Sequence, residues 1–525
     1  MPLRRWLILV WLCFFIRGLF YCTVWPLWEG FDEWAHFGVA QNMSTGQLII
    51  DRNAMASDTV NISLQLAAVP RGMTSISSGS VTREQYWDLP VEERMRRDNA
   101  LRILDSKKTD GYSPGLTPAY EASQPPLYYW LIAIPLRLLR SSTLVSQVWF
   151  ARVLTVAMAS ISIFLGFLLS RKVFENESLA FGMTALIGLM PGLAIDLARV
   201  SNEGLGLAVG TGLLLAVCRW IEKPQLYART IIVGISLGLG LLTKAYFLTA
   251  LPALLVLFVG LIWQHRKDSG RAREYATHAA VAFAIALGMG GWWYLRNIAQ
   301  TGTLSGLDEA LMLRGIGFAE KLDAAVRVDW YAAIDTVLLS HIWYSGWSLF
   351  ALRRSIYRMF YYFFFVATCG FVGSRQFLRS SSVLCILVLY GFFWLGQGYQ
   401  IVMLFISKST SVAMGGWYLH SMIWAEVILF MVGIFAVVPT RFRKYLLMTF
   451  IVAMAGLDIY SLHFVSLPYY AHTQRLVSSD VFHLVIDKPQ FLGSSGLIFL
   501  WVLLFLSTGL TVFAGFNVLR RTDCL

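Results

Sequence analysis

The chain has 525 residues, 57% of them hydrophobic and only 14% charged, with a mean hydropathy of +0.60. That leaves too little polar material to cover a soluble surface, so this is an integral membrane protein. The net charge of +12 does not indicate nucleic acid, because the basic residues sit in short loops between apolar runs, where the positive-inside rule puts them.

Arg4 and Arg5 precede the first apolar run, near residues 6–25, and place the N-terminus in the cytoplasm. The run lacks a small-residue cleavage site and reads as a retained signal-anchor helix. A long, mostly polar segment follows outside. It contains "VEERMRRDNALRIL" (91–104), whose charges and spaced apolar residues predict an amphipathic helix on the membrane surface. It closes on "QPPLYYWLIAIPLRLLR" (124–140). The apolar part of this stretch is about 14 residues, roughly 21 Å of helix, against a hydrocarbon core of roughly 30 Å.

If that stretch crossed, "SRKVF" (170–174) would face outward and every later basic loop would invert. As a re-entrant or interfacial segment it keeps Arg171/Lys172, Arg219/Lys223/Arg229, Arg266/Lys267/Arg271/Arg273, Arg375/Arg379, Arg441/Arg443/Lys444 and Arg520/Arg521 inside. The spans are then expected near 6–25, 147–170, 178–199, 204–220, 230–243, 246–263, 276–294, 355–373, 381–405, 419–438, 444–463 and 493–515. The expected fold is all-α and polytopic, with about twelve transmembrane helices and both termini inside. A single membrane domain, 1–525, carries a long first outer loop with juxtamembrane helices (26–146) and two further outer loops (295–354 and 464–492). Cys13, Cys22, Cys218, Cys369, Cys385 and Cys524 show no disulfide or zinc spacing and read as packing residues.

With this topology the unusual polar residues gather on the outer face. In "EGFDEWAHFGVAQ" (29–41), Asp32 and Glu33 lie four and three residues before His36, spacings that share one face of a helix. Glu121 and Gln124 precede the Pro-Pro pair, Asn202 and Glu203 occupy "RVSNEG", and Lys244 sits in "LLTKAYF". Arg296 ends "GGWWYLRN", and Tyr418 and His420 lie in "GGWYLH". Each residue also has a plainer use: Lys244 could snorkel to headgroups, Glu203 could cap a loop, and Tyr128 and its neighbours could form an interfacial aromatic belt. Taken together, carboxylates can deprotonate an acceptor or hold a divalent metal, while lysine and arginine can bind a phosphate and stabilise it as it leaves.

In order, "FDEWAHF", "YEASQPPLYYW", "RVSNEG", "LGLGLLTKAYF" and "GGWWYLRN" resemble the motifs of polyprenyl-phosphate-sugar-dependent membrane glycosyltransferases of the C-type superfold. The relatives include protein O-mannosyltransferases and lipid A aminoarabinose transferases. The resemblance covers roughly residues 1–300 and fades beyond, apart from "GGWYLH". It implies sugar transfer from a polyprenyl-phosphate donor to a lipid, glycan or protein acceptor, at the outer face of a bacterial cytoplasmic membrane. Asp32, Glu33 and His36 would form the catalytic group, with Lys244 and Arg296 on the donor phosphate. Glu121, Asn202 and Glu203 would meet substrate or a divalent metal such as Mg or Mn. Gln124, Tyr128, Tyr418 and His420 would line a lipid or sugar groove. Glu203 stands where relatives often have Asp, and its longer side chain puts metal coordination there in doubt. The main rival is a secondary transporter or flippase, which would be expected to carry midplane charges and paired repeats; Arg17 is the main midplane charge in the first half.

Overall fold

The computed structural model describes residues 3–73, 79–105, 117–375, 380–411, 415–473, 484 and 487–520. Arg379, Arg521 and Cys524 lie outside the described residues. The chain is an integral, multi-pass, all-helical membrane protein, and its one described sheet is a parallel pair of two-residue strands, Ala68–Val69 and Val81–Thr82.

Among the described residues ten helices are long and apolar enough to cross a membrane: Leu3–Val24, Leu144–Phe174, Glu203–Trp220, Ala245–Gln264, Ser269–Thr301, Arg354–Gly373, Ser381–Lys408, Gly416–Val437, Thr440–Tyr470 and Gly493–Arg520. The expected span at 178–199 is broken. Glu177–Gly188 and Pro191–Leu197 meet at 59°, because a proline supplies no N–H to the preceding turn and begins a new helix. Counting this pair as one span gives eleven. The expected span at 230–243 is the Tyr227–Thr243 helix, whose 17 residues reach about 26 Å and fall short of the hydrocarbon thickness. Leu127–Leu138 has 12 residues, about 18 Å, as its sequence implied, and packs against the Glu33–Ser44 helix.

Helix–helix packing relies on small residues. A Cβ on Gly370 would lie 2.2 Å from the carbonyl oxygen of Gly433, and one on Gly433 would lie 2.0 Å from that of Ala367. The backbones of Arg354–Gly373 and Gly416–Val437 therefore touch directly, the close approach that glycine permits between membrane helices.

The midplane charge Arg17 is fully neutralised. Its Nε and Nη2 donate to Asp458 at 3.1 and 2.7 Å, Nη1 donates to the Gly188 carbonyl, and Tyr21 donates its hydroxyl to the same carboxylate at 2.9 Å. The four groups join the first helix to Thr440–Tyr470 and to the broken span. Cys13, Cys22, Cys218 and Cys385 are buried and unpaired, and Cys369 is exposed and unpaired.

The first loop adds the helices Glu33–Ser44, Asp58–Leu66, Arg83–Asp88 and Val91–Ile103. In Val91–Ile103, Glu93 holds Arg96 and Arg97 at 2.7 and 2.8 Å, and Val91 and Met95 stand exposed one turn apart.

Candidate active site

The opening motif folds at one end of the bundle, and each of its residues has a different partner. Glu29 is buried and accepts from Arg83 Nε at 3.0 Å and from the Ser348 backbone N–H and hydroxyl, each at 2.9 Å. Glu33 is also buried and accepts from Arg152 Nε and Nη2, both at 2.6 Å, and from the Val200 N–H at 3.0 Å. Arg152 spends its remaining donors on the carbonyls of Cys22, Trp25 and Pro26. Glu33 thus anchors the first loop to Leu144–Phe174.

Asp32 differs from both. It caps the Glu33–Ser44 helix in the left-handed region, at φ 57° and ψ 13°, a conformation that Asp tolerates better than most residues. Tyr120 donates its hydroxyl to Asp32 Oδ1. Among the described residues Asp32 has no salt bridge to a cation, although the charges of Arg199 and Lys244 act on it. Burial pushes its carboxyl above the usual range, opposed by the Tyr120 hydrogen bond and by those two cations. A carboxylate so raised is a better base than an exposed one.

Glu121 follows Tyr120 in the turn Tyr120–Ser123. Burial and the neighbouring charge of Asp32 push its carboxyl up to about 8, so it is mostly protonated at neutral pH. His36, one turn into its helix, shares a 2.7 Å hydrogen bond between Nδ1 and the Tyr129 hydroxyl, and the same nitrogen lies 3.7 Å from Glu121 Oε2. Burial lowers the His36 imidazole well below its ordinary range and keeps it neutral.

The opposite wall comes from the starts and ends of membrane helices. Glu203 opens Glu203–Trp220, and Lys244 stands just beyond Thr243 and binds Glu203 Oε1. Lys244 Nζ also lies 4.8 Å from the centre of the Tyr418 ring. Asn202 donates to the Thr243 carbonyl at 3.3 Å. Around this cluster Glu121 Oε2, Gln124 Oε1, Asn202 Oδ1 and Glu203 Oε2 are buried without a hydrogen-bond partner. Buried polar atoms are rarely left so.

Three expected residues are used elsewhere. Tyr128 is fully buried and hydrogen-bonds Thr155 at 2.7 Å. His420 is paired with Asp196 at 3.0 Å. Arg296 lies over the Trp293 ring at 4.7 Å and donates to the Ile50 carbonyl at 3.4 Å. Sequence reasoning missed Tyr120 and Arg199, although both stand inside quoted motifs, and it missed Asp196, His341, Arg152 and Glu426 altogether.

Among the described residues no three His, Cys, Asp or Glu side chains converge as a metal site, and Glu203 already has Lys244 on one oxygen. Among the described residues this cluster therefore offers Mg or Mn no ready set of three such ligands.

One side of the site is bordered by the short helix Asp308–Met312 of the second large loop. Arg52 of the first loop holds Asp308, Lys408 at the end of Ser381–Lys408 lies 3.4 Å from Glu309, and the Glu309 charge reaches Glu121.

Residues 123–294, which carry Gln124, Asn202, Glu203 and Lys244, match the family model for dolichyl-phosphate-mannose-protein mannosyltransferases. An undecaprenyl phosphate-alpha-4-amino-4-deoxy-L-arabinose arabinosyl transferase from Pseudomonas savastanoi pv. phaseolicola is 30% identical over 148 residues. That alignment spans 27% of this chain and about a quarter (26%) of the relative's length. Among solved structures, ArnT from Cupriavidus metallidurans bound to undecaprenyl phosphate is 13% identical, with 93% of this chain and 76% of that chain covered and a TM-score of 0.42. The archaeal oligosaccharyltransferase AglB from Archaeoglobus fulgidus, in complex with an inhibitory peptide and a dolichol-phosphate, is 11% identical over 98% of this chain and 56% of that one, with a TM-score of 0.38.

Proposed function

We propose that this chain is a membrane glycosyltransferase that moves a sugar from a polyprenyl-phosphate donor to a lipid, glycan or protein acceptor at the outer face of a bacterial cytoplasmic membrane. The observation that supports this reading most is the arrangement around Asp32. A half-buried carboxylate, with no salt bridge among the described residues, faces orphaned polar atoms and a lysine, and much of that wall lies within the segment matching the dolichyl-phosphate-mannose-protein mannosyltransferase family model.

In this reading Asp32 takes the proton of the acceptor nucleophile, oriented by Tyr120. The nucleophile attacks the anomeric carbon, the bond from that carbon to the phosphate oxygen breaks, and polyprenyl phosphate leaves. Lys244, held by Glu203 until the phosphate arrives, neutralises the charge that develops. Protonated Glu121 and the amides of Gln124 and Asn202 supply hydrogen bonds to the sugar.

The test uses purified protein in lipid with a panel of polyprenyl-phosphate sugars and acceptors, following release of polyprenyl phosphate. Asp32→Asn is expected to lower turnover by about 10²–10⁴-fold while donor binding is kept. Release that ignores Asp32 overturns the assignment of the base. No release from intact, donor-binding protein across the panel overturns the function.

A further inference from the structure

Behind Asp32 runs a line of buried charged side chains that the proposed transfer does not use. Arg199 donates from Nη1 to the carbonyl of Phe31, the residue before Asp32, at 2.7 Å. Its Nη2 binds Asp196 Oδ1, and its Nε donates to the Asp196 carbonyl at 3.1 Å. The other oxygen of Asp196 meets His420 Nδ1 at 3.0 Å, and His420 Nε2 donates to the His341 carbonyl at 2.9 Å. His341 in turn donates from Nδ1 to the Gly416 carbonyl at 3.0 Å and meets Glu426 with Nε2 at 2.9 Å. Tyr390 closes the line, donating to the second oxygen of Glu426 at 2.5 Å.

The proton inventory of this line is fixed by its acceptors. A carbonyl oxygen can only accept, so His420 Nε2 and His341 Nδ1 each carry a hydrogen. The remaining nitrogen of each ring faces a carboxylate, so each imidazole–carboxylate pair holds one further proton between them. Both carboxylates are thereby saturated: Asp196 by Arg199 and His420, Glu426 by His341 and Tyr390. Every one of these side chains except Tyr390 is buried, so a change at one end leaves an unpaired group rather than a solvated one.

The line ends on the backbone that sets Asp32. Phe31 stacks on Trp417 at 4.0 Å and 11°, and the Arg199 guanidinium lies 5.6 Å from both ring centres. A Cβ on Gly30 would lie 2.5 Å from Arg199 Cβ, so the chain can pass the arginine only as glycine. The residue before Asp32 is thus clamped at its carbonyl and its ring, which fixes the left-handed turn at Asp32.

We propose that Asp196, His420, His341 and Glu426 are positioning residues that hold Arg199, and through it the Phe31–Asp32 turn, in the geometry the transfer needs. The proposal rests on Asp32 being the base of the proposed transfer only for its effect on rate; the positioning itself is tested without turnover.

Asp196→Asn and Glu426→Gln keep the side-chain shapes and remove the charges. Hydrogen exchange measured by mass spectrometry on the full-length protein in lipid is expected to quicken about tenfold or more at the amides of residues 29–36 in both variants. Residues 37–44 of the same helix, away from Arg199, stay at the wild-type rate. Exchange unchanged at 29–36, or raised evenly along the 33–44 helix and the 191–197 and 416–437 helices, overturns the proposal.

The second arm reads transfer. Asp32 is faced by Tyr120 and Glu121 from the first loop, by Arg199 and Glu203 from the 199–203 turn, by Lys244 after the 227–243 helix, and by Tyr418 from the 416–437 helix. Asp196→Asn removes the nearer of the two carboxylates paired with Arg199 and leaves only Glu203, at 3.9 Å, so more of the arginine's charge falls on Asp32. The rising limb of the pH–rate profile then moves to lower pH and kcat falls, with KM for the donor unchanged. A profile that stays in place overturns the proposal even if the rate falls. Should the wild type show no transfer, the proposed function fails while the exchange result still decides the positioning.

Discussion

Asp32, Glu29 and Glu33 are three carboxylates within five residues, and burial treats them differently. Glu29 and Glu33 have guanidinium partners, whereas Asp32 has a tyrosine hydroxyl and Glu121 has a free oxygen. Glu121 carries the clearest pH signature. Burial and the charge of Asp32 push its carboxyl up to about 8 from an ordinary 4.5, so across that window the folded chain holds a proton that the unfolded chain has released. Stability from this group is complete below pH 4.5, falls by up to about 1.4 kcal/mol for each pH unit above it, and levels off beyond 8. Glu121→Gln removes the slope. Thermal unfolding in detergent at pH 5 and pH 8 is expected to show the variant gaining on the wild type as pH rises; equal shifts at both pH values would contradict the raised carboxyl.

At the scale of elements, the Glu33–Arg152 pair ties the 33–44 helix to Leu144–Phe174, with Glu33 also accepting from Val200 and Arg152 also donating to the carbonyls of Cys22, Trp25 and Pro26. Glu33→Gln strands a buried guanidinium and is expected to destabilise the fold by roughly 3–5 kcal/mol. The expected reading is a lower unfolding temperature with donor affinity per folded molecule unchanged. A stable Glu33→Gln protein that has lost turnover would move Glu33 into the chemistry instead. This pair also marks where sequence reading stops. Asp32, Glu121, Glu203 and Lys244 stand in short polar interruptions between apolar runs, where an unusual residue is conspicuous. Arg152, Asp196 and Glu426 lie within apolar runs, and their partners Glu33, His420 and His341 are 119, 224 and 85 residues away. Nothing local distinguishes such a charge from a solvated helix end. Glu33 was legible as a charge beside Asp32, but its direction depends on Arg152.

Across the whole molecule, hydropathy and loop charge located every long helix, because a stretch that must satisfy its own backbone in hydrocarbon has few alternatives to a helix. The same reasoning recognised that 127–138 is too short to cross. It did not anticipate the 59° break at Pro191, since the two pieces are equally apolar and only three-dimensional packing sets their angle. Arg17 stood out as the main midplane charge of the first half, and its partner Asp458 lies 441 residues away. With that partner Arg17 is a tie between the two ends of the chain rather than part of a charge ladder of the kind a transporter would show.

The short helix Asp308–Met312 is fastened at the edge of the site by Arg52 and Lys408, both through pairs open to solvent. Such pairs are each worth about 0–1 kcal/mol, and the reach of charge shrinks from about 30 Å at 0.01 M salt to about 3 Å at 1 M. The surrounding electrolyte therefore sets how firmly this border is held, which no buried bond in the site allows. Limited proteolysis between residues 303 and 317 is expected to be several-fold faster at 1 M than at 0.01 M NaCl, and fast at both in Asp308→Asn/Glu309→Gln. Indifference to salt in the wild type would mean that other contacts hold it. Swings in ionic strength would therefore change how open the site is without any change in the fold.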